Sequence, residues 1–415
     1  MNHLLKKSIT YIIIASIGCV FLSCSKSKTS PSLSISSIST NTGAYNTSVV
    51  IYGTGFSTVK SEDKVSFNGK QATITAASGT SLTATVPLGA GTGNVSVTVN
   101  GNSTIGPVFN YVLSYVVSTF AGNGTKGNQD GSATNASFYT PSGLAFDKAG
   151  NLFVTDEYYG LVRKIDPAGA VTTFAGGAGG PKKDGTGTSA SFGDLTAITF
   201  DSSGNIFVSD YEGLISKITP GAVATTFING EFVPGYSFEY PSGLAIDASG
   251  NLYVSIYRMN QIHKITPGGV VTNFAGSGAP GSLDGKPGNF WEPAGLVFDP
   301  SGLLCVADFN NNKIRSVDLL GTVSTIAAFF HFNNPNGLAV DSKGNIYVSG
   351  NNEIVVISAD HQHVNTIAGT VDAGSNNGDG KVATFNNPTG LAVDASGNIY
   401  VADTGNNTIR KIALQ

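Results

Sequence analysis

The segment PSGLAIDASGNLYV, residues 241–254, is one of six copies of a pattern that occupies the chain from residue 115 onward. The copies are variants of P-x-G-L-A-(F/V)-D, a short turn and G-N-(L/I)-(F/Y)-V. Each copy continues into a third strand such as LVRKID, residues 161–166, and most continue into a fourth such as VTTFAG, residues 171–176. Four short antiparallel strands repeated six times predict a six-bladed β-propeller.

The segment VSTFAG, residues 117–122, has the sequence of a fourth strand but precedes the first copy. The sixth copy ends at Gln415 after its third strand, so its blade would expose an unpaired edge. We therefore expect residues 117–122 to supply the missing outer strand and close the ring. The motifs P-x-G-L-A-V-D, G-N-I-Y-V-A-D and N-N-x-I-R-K-I resemble the NHL repeat family over residues 115–415.

A second unit precedes the propeller. Residues 32–113 contain the segments TSVVIYGTGF, DKVSFNGKQATI, SLTATVP, GTGNVSVTV and GPVFNYV, whose alternating apolar residues predict a β-sandwich. The runs GTGF at residues 53–56 and FNG at residues 67–69 resemble the IPT/TIG family of immunoglobulin-like domains. This resemblance implies a spacer or interaction module. The whole chain is therefore predicted to be all-β.

The N-terminus is typical of an export signal. Lys6 and Lys7 precede an apolar run at residues 11–22, which is too short to cross a bilayer core of roughly 30 Å as a helix. The ending Leu-Ser-Cys at residues 22–24 resembles the lipobox of bacterial lipoproteins. That resemblance implies removal of residues 1–23, acylation of Cys24 and a polar tether at residues 24–31. We expect an extracytoplasmic protein held by lipid in the cell envelope, at the outer membrane. The sequence does not decide between the periplasmic and the surface-exposed leaflet.

Charge and cysteine content exclude several classes of protein. Without residues 1–23 the chain has 21 basic and 27 acidic residues, a net charge of −6, and no basic run. This charge argues against nucleic acid as a partner. Cys305 would be the one cysteine left beside Cys24, so no intramolecular disulfide is expected, and we expect it to be buried. We expect a monomer without a cofactor.

The loops that lead into each inner strand supply the candidate binding residues. Every copy has a phenylalanine three residues before the position of Pro241, and such repetition indicates packing between blades. The next two positions differ from copy to copy, as functional residues should. Aromatic rings can stack on a sugar, and carboxylates and amides can bind its hydroxyls. We therefore predict a membrane-anchored, non-enzymatic binding protein that recognises a glycan or a protein partner; a rim without a ligand is the alternative. The predicted ligand-binding residues are Tyr139, Asp194, Tyr240, Trp291, Glu292, Asn334, Asn336 and Asn387.

A metal-assisted hydrolase or lyase is the enzyme alternative. Lactonases resembling gluconolactonase hold a divalent metal with acidic and amide side chains in the channel, but here only Asn336 fits that pattern, unless Asp194 and Glu292 contribute. The other channel positions are Ser142, Thr196, Ser242, Ala294 and Thr389. Histidines 263, 331, 361 and 363 are too scattered for the zinc site of the amidating lyases that resemble NHL propellers. We expect no bound metal and no catalytic residue.

Two further sets of residues are expected to be structural. The Asp-Gly pairs of the long loops, at Asp130, Asp184, Asp284 and Asp379, offer too few carboxylates for calcium and are interpreted as turns. The aspartates of the six repeat turns are expected to hydrogen-bond the turn backbone. His263 aligns with arginines 163, 315 and 410 on the third strands, a row that we interpret as exposed.

Overall fold

The computed structural model describes residues 31–177, 182–230 and 238–415, and these are almost entirely β-strands and turns. The predicted signal, Cys24 and all but the last residue of the predicted tether lie outside the described residues. Within the described ranges no helix is long and apolar enough to span a membrane. The described 3-10 turns are Lys60–Glu62, Glu157–Tyr159, Gly187–Ser189, Tyr257–Met259, Phe309–Asn311 and Thr404–Asn406.

The N-terminal unit is a sandwich of two sheets. The first sheet contains, in spatial order, Ser34–Ile38, Ser48–Thr54, Ser81–Thr85 and Thr73–Ser78. The second contains Thr42–Gly43, Asn102–Tyr111, Gly93–Val99, Asp63–Phe67 and Lys70–Gln71. Apolar residues alternate along these strands and meet in one core, where the rings of Phe67 and Phe109 pack edge to face at 5.1 Å. The predicted immunoglobulin-like sandwich is confirmed.

Six sheets follow, which we number blades 1 to 6, with their four main strands named inner, second, third and outer. The short strands Gly185–Thr186 and Gly378–Asp379 add a fifth strand beyond the outer strands of blades 2 and 6. Blade 1 has Pro141–Phe146, Leu152–Asp156, Leu161–Ile165 and Val171–Ala175. Blade 2 has Leu195–Phe200, Ile206–Asp210, Leu214–Ile218 and Val223–Asn229. Blade 3 has Pro241–Ile246, Leu252–Ile256, Gln261–Ile265 and Val271–Ala275. Blade 4 has Pro293–Phe298, Leu304–Asp308, Lys313–Val317 and Val323–Ile326. Blade 5 has Leu338–Val340, Ile346–Gly350, Glu353–Ile357 and Val364–Gly369.

Blade 6 joins the two ends of the ring. Its inner, second and third strands are Pro388–Val393, Ile399–Asp403 and Thr408–Leu414, and its outer strand is Tyr115–Ala121. In that pairing Val117 lies opposite Ile412, and beyond it Ser114 and Gln415 exchange two backbone hydrogen bonds of 2.9 Å. The prediction that VSTFAG closes the propeller is confirmed.

The repeated residues have the structural roles that the pattern predicts. Asp247 accepts hydrogen bonds from the backbone N–H groups of Ser249 and Asn251 at 2.9 and 2.8 Å, while Gly250 takes the positive φ of 81° that the turn requires. The other five turn aspartates bond in the same way. The six loop phenylalanines are all buried, as is Cys305; they are Phe138, Phe192, Phe238, Phe290, Phe332 and Phe385.

The central channel is narrow because the inner strands pack closely. A Cβ atom placed on Gly337 would lie 2.0 Å from the carbonyl oxygen of Thr389 on the next blade, so this position of the motif requires glycine. Small cavities of about 100 and 380 Å³ occupy the two ends of the channel. One ring of nearly buried aliphatic side chains borders both cavities: Leu144, Ile198, Leu244, Leu296, Leu338 and Leu391.

The third-strand arginines are buried, so the prediction that their row is exposed was wrong. Arg315 is 0% exposed, and its guanidinium donates to the carboxylate of Asp308 at 2.7 Å and to two loop carbonyl oxygens. Arg163 and Arg410 pair with aspartates 156 and 403 in the same way. These partners allow the charge to be buried. In blade 3 an apolar residue, Ile256, takes the aspartate position, and burial lowers the pKa of the nearby His263 to about 4.

The Asp-Gly pairs protect blade edges. Gly131 and Gly285 form backbone pairs with the outer strands of blades 1 and 4, Gly185 does so in blade 2, and Asp379 itself pairs with Val116 in blade 6. Asp130 accepts hydrogen bonds from Arg163 and from the backbone N–H of Thr173, so its carboxylate binds protein groups. The interpretation of Asp130-Gly131, Asp184-Gly185 and Asp284-Gly285 as turns was wrong, because their glycines pair with the outer strands instead.

Candidate ligand-binding mouth of the propeller

One face of the propeller collects the chemically varied side chains. Crossover loops, which join the outer strand of one blade to the inner strand of the next, lie here beside the turns between second and third strands. In blade 3, for example, the backbone N–H of Tyr257 in the turn donates to the carbonyl of Tyr240 in the loop at 3.1 Å, and blades 1 and 2 repeat this bond. In blades 4 and 6 the next residue of the turn donates to the preceding residue of the loop instead. We name this face the mouth. The His361 and His363 turn lies between third and outer strands, and hence on the opposite face.

Neighbouring blades hold the predicted loop residues in place. The backbone N–H of Glu292 donates to the side chain of Asn260 on the preceding blade at 2.8 Å, and that of Asn334 donates to Asn312 at 2.8 Å. Glu292 and Asn334 both have positive φ angles, of 56° and 46°. The same arrangement fixes Thr140 and Asn387. Because these four loop residues are bonded to the previous blade, their positions at the rim are set by the blade interfaces.

Tyrosine rings cover the mouth at blade 1. Tyr139 packs against Tyr158 with ring centroids 4.1 Å apart, and Tyr158 is 59% exposed. The ammonium group of Lys126 lies 4.7 Å from the centre of the Tyr139 ring and 3.3 Å from its hydroxyl. This end of the mouth therefore presents an exposed aromatic surface with a cation beside it.

Glu157 and Tyr211 link blades 1 and 2 at the mouth. The hydroxyl of Tyr211 lies beside the Glu157 carboxylate, and the Tyr211 ring packs against Tyr240 at 4.1 Å. Burial, with a smaller contribution from the nearby Asp194 carboxylate, raises the pKa of Glu157 to about 6. Asp194 itself is exposed.

Tyrosine rings and carboxylates also lie next to each other at the mouth in blades 3 and 4. The Tyr257 ring lies 5.4 Å from Tyr240, and its hydroxyl lies beside the carboxylate of Glu292, which accepts a hydrogen bond from the side chain of Asn310. Trp291 is 46% exposed, and its backbone N–H donates to Asp308 at 2.8 Å. We name the continuous set of blades 1 to 4 the aromatic arc; it comprises Tyr139, Glu157, Tyr158, Asp194, Tyr211, Tyr240, Tyr257, Trp291, Glu292, Phe309 and Asn310.

A cavity of about 440 Å³ opens within the aromatic arc, between blades 2 and 3. Tyr211 and Tyr240 form part of its wall, and the guanidinium of Arg258 lies 5.5 Å from the Tyr240 ring. The described lining also includes Glu212, Gly230, Phe238 and Glu239. Its volume and its mixture of aromatic and charged groups suit one or two sugar rings.

Blades 5 and 6 present a different surface. Asn334 and Asn387 are exposed at the rim, and the short blade 5 turn carries no aromatic residue. Asn336 lies deeper, in the wall of the channel cavity, where its backbone N–H donates to Ser349 at 2.7 Å. Seven of the eight predicted residues therefore lie at the rim and one in the channel. The tyrosine rings of the mouth lie on the blade 1 to 4 side, while the crossover loop into blade 5 carries one exposed aromatic residue, Phe329.

The hydroxyl groups that line the channel form hydrogen bonds between neighbouring blades. The side chains of Ser142, Thr196 and Ser242 each donate to a backbone carbonyl of the next blade, at 2.9, 2.6 and 2.9 Å. The hydroxyl of Thr389 in blade 6 likewise donates to the carbonyl of Ser142 in blade 1 at 3.2 Å. These hydroxyls thus bind neighbouring blades. Among the described residues no three histidine, cysteine, aspartate or glutamate side chains are grouped to hold a metal ion.

Sequence reasoning missed the residues that follow each second strand: Glu157, Tyr211, Tyr257 and Phe309. No role was predicted for them, although they differ from copy to copy within an otherwise repeated pattern. The same criterion had identified the crossover-loop residues that they contact. Variation at fixed positions of a repeat was therefore the signal that could have found them.

Family comparisons agree with the two units. Residues 33–115 match the IPT/TIG domain, residues 290–315 and 385–412 match the NHL repeat, and residues 334–351 match a β-propeller repeat. The chain therefore carries an IPT/TIG domain followed by NHL and β-propeller repeats, as predicted.

Two curated relatives contain a similar segment within longer chains. The chloroplastic protein SUPPRESSOR OF QUENCHING 1 of Arabidopsis thaliana is 27% identical over 323 residues, which are 70% of this chain and 26% of that protein. NHL repeat-containing protein 2 of Homo sapiens is 27% identical over 329 residues, which are 71% of this chain and 42% of that protein. The chain thus spans less than half the length of either relative.

Solved structures share the fold at low identity. An auxiliary nutrient binding protein from Bacteroides thetaiotaomicron is 20% identical, with a TM-score of 0.69 over 92% of this chain and 97% of that one. Another from Bacteroides ovatus is 21% identical, with a TM-score of 0.61 and coverage of 92% and 98%. Virginiamycin B lyase from Staphylococcus aureus is 15% identical, with a TM-score of 0.50 and coverage of 73% and 100%.

Proposed function

We propose that this chain is a lipid-anchored, extracytoplasmic binding protein of the cell envelope, and that its aromatic arc binds a glycan. The observation that carries the proposal is the one-sided mouth. Tyrosine rings, carboxylates and a cavity of about 440 Å³ lie together on blades 1 to 4, although the repeats are otherwise alike. A rim that served only to close the blades would need no such asymmetry.

The chemistry of the aromatic arc fits a sugar. The apolar face of a sugar ring packs on an aromatic ring, and the exposed rings of Tyr158 and Trp291 offer such faces, while Tyr240 forms part of the cavity wall. Sugar hydroxyls donate to carboxylates and accept from amides and guanidinium groups, as supplied by Glu292, Asn310 and Arg258. A concave site with a few placed polar groups is the usual form of a small-ligand site.

Non-enzymatic binding accounts better for the channel than catalysis does. The channel hydroxyls of Ser142 and Thr196 are engaged by neighbouring blades, and no acidic ring surrounds them. The nutrient binding proteins from Bacteroides species align over both units of this chain, which supports an envelope role. A protein surface is the alternative ligand for the same mouth.

The test is a thermal-shift screen of the purified protein against a panel of glycans, because a ligand that binds only the folded state raises its melting temperature. We expect one class of glycan to raise the melting temperature. Tyr240→Ala should abolish that shift, whereas Tyr52→Ala, which removes an exposed tyrosine from the sandwich, should leave it unchanged. A shift that survives Tyr240→Ala, or no shift with any glycan, would overturn the proposal.

A further inference from the structure

We propose that the aromatic arc selects glycans that carry free amino groups, so that the ligand is a cationic amino sugar and not a neutral one. This inference rests on the proposed glycan-binding function and adds the chemical class of the ligand. Two independent observations carry it: carboxylates without a cationic partner, and ring faces that already hold cations.

Five carboxylates belong to the aromatic arc or line its cavity, and none of them forms an ion pair among the described residues. In the parts of the chain that the structure describes, the salt bridges within 4.0 Å involve Arg163, Arg315, Arg410 and His363, and none of them reaches the mouth carboxylates. Glu157 lies close to Asp194, so two like charges share one part of the rim. The five carboxylates are Glu157, Asp194, Glu212, Glu239 and Glu292.

The rings of the aromatic arc already bind positive groups of the chain itself. The ammonium of Lys126 lies 4.7 Å from the Tyr139 ring centre, and the guanidinium of Arg258 lies 5.5 Å from that of Tyr240. A cation over a tyrosine face is attracted by the negative face of the ring. The remaining ring surfaces, including the exposed faces of Tyr158 and Trp291, offer the same attraction to a ligand ammonium group.

An ammonium group satisfies this site better than a hydroxyl or an acetamide does. A sugar hydroxyl can donate one hydrogen bond to Glu157 or Glu292, but it leaves the negative charge uncompensated. An ammonium group donates three hydrogen bonds and neutralises the charge, and a charge-assisted hydrogen bond is about twice as strong as a neutral one. Acetylation of the nitrogen removes both advantages.

Calorimetry with three matched tetramers tests the inference. Tetramers of glucosamine, N-acetylglucosamine and glucose with the same linkage differ only in an amine, an acetamide or a hydroxyl on each ring. At neutral pH and low salt we expect the glucosamine tetramer to bind at least about tenfold more tightly than the other two. Added salt should reduce that preference because it screens exposed charges.

Variants test the contribution of the carboxylate charges to binding separately from that of the sugar rings. Glu157→Gln with Glu292→Gln should weaken binding of the glucosamine tetramer more than that of the glucose tetramer, so that the preference for glucosamine falls to less than about threefold. Glu62→Gln, an exposed change on the sandwich, should keep the full preference. A spectrum of circular dichroism like that of the unchanged protein establishes that each variant is folded.

The outcomes distinguish the two proposals. Equal, Tyr240-dependent binding of the amine and hydroxyl tetramers would overturn the amine selectivity and leave glycan binding standing. A tetralysine peptide that binds as tightly as the glucosamine tetramer would overturn the glycan assignment. Binding of none of the three tetramers would overturn the amine inference, while the glycan panel decides the broader function separately.

Discussion

The hydroxyl of Tyr211 in blade 2 lies beside the carboxylate of Glu157 in blade 1 and favours its charged form. This contact crosses a blade boundary at the mouth and ties an acidic group to an aromatic ring that itself packs on Tyr240 at 4.1 Å. Structure and ligand recognition therefore depend on the same side chains, and the ionisation of Glu157 should affect both.

Glu157→Gln should change how stability depends on pH. Burial raises the folded-state pKa of Glu157 from about 4.5 to about 6. The folded protein thus holds this proton more tightly than the unfolded chain does, and the free energy of unfolding falls as pH rises between those values. Glutamine does not titrate, so the free energy of unfolding of the variant should not show this fall. The difference in unfolding free energy between variant and wild type should therefore be more favourable to the variant above pH 6 than at pH 4. After a discount for partial exposure, we expect this change to be about 1 kcal/mol. Urea unfolding at both pH values measures this; parallel pH profiles for the two proteins would contradict it.

Arg315→Met should be strongly destabilising. Asp308 is 0% exposed and accepts from Arg315 at 2.7 Å, so the substitution leaves a buried carboxylate without its cation. Such a loss costs about 3 to 5 kcal/mol. The matched change His263→Met in blade 3 should cost less than about 1.5 kcal/mol, because Ile256 takes the place of the aspartate there. Denaturant unfolding compares them, and equal losses would show that the charge of Asp308 is not the cause.

Loss of the closing strand should open the ring. A chain that begins at Asn123 lacks the strand paired with Thr408–Leu414 and the Phe120 ring that packs 4.9 Å from Tyr400. About five backbone hydrogen bonds at 0.5 to 1.5 kcal/mol each, and roughly 1.5 to 3 kcal/mol of apolar burial, disappear. A chain that begins at Leu113 keeps the strand and should stay folded and monomeric. Thermal melting and gel filtration compare the two; equal stability would contradict closure through residues 117–122.

The lipid anchor is predicted to depend on one residue. Cys24→Ala should prevent acylation and release the protein from the membrane fraction, because the resemblance to a lipobox assigns the lipid to Cys24. Cys305→Ala is the matched control, since that thiol is buried within blade 4. Labelling of cells with a radioactive fatty acid measures acylation. Equal label on Cys24→Ala and on the unchanged protein would remove the lipoprotein assignment.

The fold could be predicted from the sequence because six copies of one pattern stand in register, and the surplus outer strand at residues 117–122 has one place to go. The burial of Arg163 could not be predicted from the alternation of LVRKI, where a charged residue normally faces solvent. A longer-range signal was present. Each third-strand arginine is preceded, seven residues earlier, by an aspartate. In blade 3, where His263 replaces the arginine, Ile256 replaces the aspartate.

The candidate site was predictable only in part. The crossover-loop residues Tyr240 and Glu292 were identified by their variation between copies, but their partners Tyr211 and Tyr257 were not. Their pairing depends on how the turn of one blade meets the loop of the next, which is a relation across a blade interface. The sequence of a single repeat does not contain that relation.

Trp291 allows the most direct test of glycan binding at the mouth. It is the single tryptophan of the chain and is 46% exposed within the aromatic arc, so intrinsic tryptophan fluorescence reports on this surface alone. The measurement is a fluorescence titration with the glycan that raises the melting temperature. We expect a saturable change in Trp291 emission, with the dissociation constant that calorimetry gives, and loss of this change in Tyr240→Ala. Calorimetric binding without any change in Trp291 emission would place the ligand elsewhere and contradict glycan binding at the mouth.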